Sequence, residues 1–160
     1  MRTIKFRAQD IASNKWLYGD LRHHKFDVCI FEQGGMKGEQ VRRDTVGQFT
    51  GLRDINGNDV YEGDILRVKE YKNLCWDLSK SEEERDEMMR TFALDDLKGE
   101  LDKEYISAVA FEEGTYCLSS NGDYNDMYLS CLFGPMNGSL PIFDFEVIGN
   151  IHDNPDLLKR

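Results

Sequence analysis

Several sets of residues in this 160-residue chain have the types and spacing that could do chemistry. Asp54-Ile55-Asn56-Gly57-Asn58 places oxygen donors at alternate positions, as the opening of an EF-hand calcium loop does. The match fails at two positions. Asp59 stands where that loop needs Gly for its sharp turn, and Ile65 stands where it needs a bidentate Glu. Asn121-Gly122-Asp123-Tyr124-Asn125 fails likewise, with Asp126 and Leu132 at those places. His23 and His24 are adjacent, so in a strand they point to opposite faces and share no metal, and His152 is remote in sequence. Cys29, Cys75, Cys117 and Cys131 lack the short spacings of zinc sites and redox pairs and read as small buried hydrophobes. Asp59, Glu62 and Asp64 cluster near a bend, where acids can tune one another for acid–base work. In a turn their usual role is to bond local backbone amides. There is no phosphate-cradling loop before a helix and no nucleophile elbow. The chain therefore presents no catalytic residue, no cofactor-binding residue and no metal ligand set.

The elements that would position such residues are mostly strands. The central stretch Val46–Val68 has apolar runs at Val46–Leu52 and Ile65–Val68, joined by a loop rich in Gly, Asn and Asp. Asn56-Gly57-Asn58 is turn chemistry, because Gly accepts positive φ and Asn tolerates it. Residues 2–9 alternate as a half-buried strand, and a turn at Ser13-Asn14-Lys15 returns Trp16-Leu17-Tyr18 as a second, closed by Gly19-Asp20. Lys25–Phe31 alternates again, and Glu39–Arg43 reads as a short strand. Ser81 followed by Glu84 is a capping box, and with Met88, Met89, Phe92 and Leu97 in an apolar stripe it predicts a helix over about 81–98, stopped by Lys98 and Gly99. Strands resume at Ile106–Phe111, Thr115–Ser119, Met127–Phe133 and Ile142–Ile151, the last bent at Gly149. Pro155 opens a last helical turn. The pattern predicts a mainly β fold of antiparallel strands, a small SH3-like or related barrel, with one inserted helix. It forms a single domain over 1–160, or two β lobes, 1–50 and 51–160, with the helical insertion at 71–104.

Charge narrows the functions. Net charge is −10, with hydrophobic residues at 40% and charged residues at 31%, a composition suited to a soluble globular protein. No run nears the roughly 18 apolar residues of a membrane helix, and no secretory signal opens the chain, so a cytoplasmic protein with no membrane partner is expected. Residues 1–50 carry a balance of +3, residues 51–104 of −7 and residues 105–160 of −6. The last third has no Lys or Arg before Lys159, which disfavours non-specific nucleic-acid binding there.

The opening RTIKFRAQD, Lys15-Trp16, the block VGQFTGLRDINGNDVYEGDIL and the close FEVIGNIHDNPDLL resemble the YopX family of phage, prophage and mobile-element proteins, in that family's order and over nearly the whole chain. Residues from about Tyr71 to Glu104 carry none of the motif. The resemblance implies a mainly β, self-associating protein of a bacterial cytoplasm or of phage origin, with no established activity and no catalytic residues to carry over. Its motif positions here are Gly47, Thr50, Gly51, Gly57, Tyr61, Glu62, Gly63, Asp64, Gly149 and Asn150, explained equally by backbone geometry and by binding.

Four functions follow for weighing. The first is a non-enzymatic homo-oligomer that presents a protein-binding surface, its basic and acidic parts meeting between subunits. The second is nucleic-acid binding through Arg2, Lys5, Arg7, Arg22, Lys25, Arg42 and Arg43, interleaved with Trp16 and Phe26, a possibility that the net charge does not support. The third is an acidic mimic of nucleic acid acting as an inhibitor. The fourth is an enzyme assembled from scattered acids and histidines, for which the sequence offers no positive sign.

Overall fold

The computed structural model describes residues 3–25, 27–32, 34–73, 80–91, 98–112, 114–120, 123–129 and 142–159. Among these residues, eleven strands and one helix run in the order β1 (Phe6–Gln9), β2 (Trp16–His24), β3 (Asp27–Phe31), β4 (Gly38–Gln40), β5 (Gly47–Arg53), β6 (Asp59–Tyr61), β7 (Asp64–Asn73), α1 (Glu82–Thr91), β8 (Lys98–Glu112), β9 (Thr115–Ser120), β10 (Asp123–Tyr128) and β11 (Ile142–Asn150). Short 3-10 turns lie at Arg43–Thr45 and Pro155–Leu158. The mainly β expectation with one helix holds. The strands make two antiparallel sheets, ordered β4-β3-β2-β1-β5-β6 and β10-β9-β8-β7-β11, and no closed barrel among the described residues.

Each sheet has its own apolar cluster. In the first, Ala8, Val28, Ile30 and Val41 are buried beneath Phe6, Leu17, Leu21 and Val46, the period-two set of β1 to β3. A bridge between Asp10 and Val41 curls the far end of this sheet back towards β1. In the second, Leu66, Val68, Val109, Leu118 and Phe145 are buried together with Val60 of β6, and Leu52 of β5 packs on them. The β5–β6 hairpin therefore belongs to the first sheet by hydrogen bonding and to the second cluster by its side chains.

Several sequence expectations change in detail. β2 runs through Gly19-Asp20 to His24 instead of stopping there. At Gly19 the β3 backbone crosses so closely that a Cβ would collide with the Phe31 carbonyl oxygen. The capping box forms as expected, with Ser81 and Glu84 bonding each other's groups at 2.7 to 3.3 Å. The helix ends at Thr91, however, and Lys98 and Gly99 start β8. Lys98 Nζ donates to Asp144 across the sheet at 2.7 Å and lies 5.4 Å from the Tyr71 ring centre. It is a cross-strand partner and not a helix-terminal cation. The expected bend at Gly149 is present as a shift of register between Val147 and Gly149. Phe26, Phe92, Leu97, the cysteines Cys75 and Cys131, and the loop before Asp123 lie outside the described residues.

Candidate functional site

The two sheets meet along a cleft of about 560 Å³, walled by Ile4, Tyr18 and Val147 and floored by ion pairs of Lys5 and Arg7. Strand alternation creates the floor. Lys5, Arg7 and Gln9 share one face of the first chain segment, opposite the face that buries Phe6 and Ala8. Register then sets Tyr18 beside Arg7 and Trp16 beside Gln9, and Phe49 beside Tyr61.

Arg7 is the centre of the joint. Its guanidinium lies 2.5 Å from Asp64 Oδ1 and donates to the Glu62 carbonyl at 3.2 Å. It stacks 4.8 Å from Trp16 and 5.1 Å from Tyr61. Arg7 is 7% exposed and Asp64 1%, so this pair is largely withdrawn from water. Asp64 also accepts the Tyr61 amide at 2.7 Å, closing the turn that Gly63 makes at φ +79°. Burial lifts the Asp64 carboxyl above its ordinary value, and Arg7 opposes that rise. The Gly63 amide donates to the Val109 carbonyl at 2.8 Å, and its carbonyl accepts Ile151 at 2.9 Å. A left-handed glycine thus ties β8 and the C-terminal turn to the first sheet.

Nearer the mouth, Lys5 pairs with Asp59 and sits 4.4 Å from the Phe49 ring centre. Asp59 also accepts Arg53 at 3.0 Å. Burial works against both charges, yet their pairing holds the Lys5 ammonium above and the Asp59 carboxyl below their ordinary values. Glu62 stands apart from both, its carboxyl raised by burial. The three acids of the bend therefore go three ways and do not tune one another. The described residues hold no group of His, Cys, Asp and Glu that could bind a metal.

Beyond the cleft, Asp153 accepts Trp16 Nε1 at 2.7 Å, Asn150 Nδ2 at 2.8 Å and Gln9 Nε2 at 2.9 Å. The Asn150 and Trp16 bonds, with Gln9 behind them, hold its carboxyl below the ordinary value despite some burial. Asn150 Oδ1 in turn accepts the amides of His152 and Asp153 at 3.0 and 2.9 Å. His152 packs 5.9 Å from the Trp16 ring, and burial lowers its pKa.

Asp54 organises the remaining loop. It accepts the amides of Asn56 and Asn58 at 2.9 and 2.8 Å, the Asn58 side chain at 3.0 Å and the Val147 amide at 3.1 Å. Burial opposes ionisation, but these donors win and keep its pKa low. The Ile55 amide donates to the Phe145 carbonyl at 3.1 Å, so the loop lies against the outer edge of β11. The calcium-like spacing is thus spent on backbone amides.

The motif positions converge on this joint. Tyr61, Glu62, Gly63 and Asp64 form its turn, and Gly47 lies so close that a Cβ would meet the Glu62 carbonyl oxygen. Thr50 Oγ1 donates to the Val60 carbonyl at 2.8 Å beside the irregular pairing at Gly51, and Gly57 sits in the Asp54 loop. Gly149 and Asn150 form the far side with Asp153. The motif set did not include Arg7, Trp16, Asp54 or Asp153. Asx-turn chemistry at Asp54 and in Asn150–Asp153 was the available signal, whereas the Arg7–Asp64 pairing, 57 positions apart, had none in one sequence.

A family model described as YopX protein matches residues 5–159. No curated protein matches the chain. A solved structure, the crystal structure of protein EF1440 from Enterococcus faecalis, is similar over 99% of this chain and 99% of that one, at 21% identity and a TM-score of 0.48.

Proposed function

The chain belongs to the YopX family, and we propose that it is a non-enzymatic protein that self-associates and presents a protein-binding surface. One observation carries this reading. The ions on the cleft floor, Lys5 with Asp59 and Arg7 with Asp64, are committed to each other as ion pairs. Above this fixed floor Ile4 is 61% exposed and Tyr18 50%. Exposed apolar and aromatic side chains beside a rigid polar base suit recognition better than turnover. The basic first third and acidic remainder support association between copies by charge. A bacterial cytoplasmic setting and a phage or mobile-element origin belong to the same proposal.

Solution mass by light scattering tests it. A discrete oligomer at low salt, losing mass as salt is raised, is expected. A monomer at micromolar concentration in low salt would overturn the reading.

A second reading has one supporting observation. Arg22 lies 4.2 Å from the Phe31 ring centre on the face that also exposes Tyr18, an aromatic and cationic pairing of the kind that stacks single-stranded bases. Arg7 does not contribute to it, being buried on Asp64. Anisotropy with a labelled single-stranded oligonucleotide would show salt-dependent binding if this reading holds, and flat traces would remove it.

A further inference from the structure

We propose that the exposed face of β2 is a self-complementary contact through which two copies of this chain meet about a two-fold axis. The proposal rests on the self-association reading and gives it a surface. Tyr18, Asp20, Arg22 and His24 share one face of β2, while Leu17 and Leu21 on the other face pack on the first core. All four residues on the outer face are exposed.

The charge order on this face is what selects the partner. Asp20 and Arg22 stand two residues apart, about 7 Å along the strand. Neither forms an ion pair among the described residues, in contrast to Lys5, Arg7, Asp59 and Asp64 in the adjoining cleft. Arg22 is instead held over Phe31 of β3, which lies directly beside Asp20 in the sheet. A guanidinium already fixed by stacking loses less side-chain freedom when it meets a carboxylate.

A second copy facing this strand in antiparallel sense, with the axis through Leu21, sets each Asp20 opposite the other copy's Arg22. Two ion pairs form, and each Tyr18 lies opposite the other copy's His24. A parallel apposition would set Asp20 on Asp20 and Arg22 on Arg22, which repel. Of the two appositions, only the antiparallel one satisfies the pattern, and its two-fold axis makes the interface isologous. Sheet faces pack about 10 Å apart, a gap that an Asp and an Arg side chain span together. Tyr18 and Asp20 also line the cleft, so the contact borders the clefts of both copies.

The test compares solution mass at low salt for the wild type, Asp20→Arg, Arg22→Asp, the double variant D20R/R22D, and an equal mixture of the two single variants. Circular dichroism checks that each is folded. Each single variant makes the face all positive or all negative and is expected to weaken association about tenfold or more. The double variant restores the pattern in reverse, and the mixture pairs an all-positive with an all-negative face, so both are expected to recover the wild-type mass. Single variants that associate like the wild type would overturn this surface and leave self-association standing. Dissociated single variants without recovery in the double variant or the mixture would overturn the charge pattern. A monomeric wild type would overturn the self-association reading itself.

Discussion

The joint between the two sheets and the outer end of the second sheet both carry ion pairs, and they use them in opposite ways. At the joint, Arg7 and Asp64 are buried, 2.5 Å apart, between two aromatic rings and a glycine turn. Along the arm formed by the ends of β7 and β8, Lys72–Glu100 at 3.8 Å lies in solvent, as does Arg90–Asp86 at 3.9 Å within α1. An exposed pair gains little because water competes for both charges. A buried pair gains little over an apolar substitute, yet removing one partner strands the other without water. The joint is therefore intolerant of single changes and the arm indifferent to them.

The largest effect that would break this contrast is at Asp64. Asp64→Ala leaves the Arg7 charge buried and is expected to destabilise by about 3–5 kcal/mol in urea denaturation. A loss under 1 kcal/mol would show that the joint is not dry. Next comes Asp54→Ala, which orphans the Asn56, Asn58 and Val147 amides and should cost about 1–3 kcal/mol. Calcium should not protect the wild type against heat, since that carboxylate is already occupied; a rise in Tm with calcium would contradict this. Smallest is Lys72→Ala on the arm, expected to stay within about 0.5 kcal/mol of the wild type.

Acid sharpens the same contrast. Asp54 and Asp153 have folded pKa values below 3.8, so each contributes stability that is fully present above that pH and is lost as pH falls through the folded values. His152 has a folded pKa below 6.5, so the unfolded chain binds its proton first and stability declines as pH falls below 6.5. Asp44, Asp153, Arg7 and Arg42 surround that imidazole. Thermal melts of His152→Gln should be flatter than the wild type just below pH 6.5 and equal to it above pH 8. Identical slopes would show that His152 is not sensed by the fold.

The strands and their faces were legible because alternation states them directly, as in Phe6-Arg7-Ala8-Gln9, where the apolar and the polar residues separate onto opposite sides, although Ile4, before the strand, lines the cleft beside Lys5. The capping box at Ser81 and the bend at Gly149 were legible for the same local reason. The end of the helix was not, because Lys98 and Gly99 fit a helix stop by type while the sheet recruits them through Asp144 and Asn73. Propensity is local, and cross-strand pairing overrides it. The motif half of the joint could be seen as a block of turn residues, but its meaning needed Arg7, and a pairing across 57 positions leaves no trace in one sequence.

The loop held by Asp54 has a further consequence, for the behaviour of the protein in a crowded solution. β11 is the last strand of its sheet, and its outer backbone groups would otherwise be open to any extended chain. The Ile55 amide takes the Phe145 carbonyl and Asp54 takes the Val147 amide, so the loop occupies the positions a foreign strand would use. Losing that cover turns a modest loss of stability into an adhesive edge. In cells the Asp54 variant should therefore be marked less by unfolding than by insolubility.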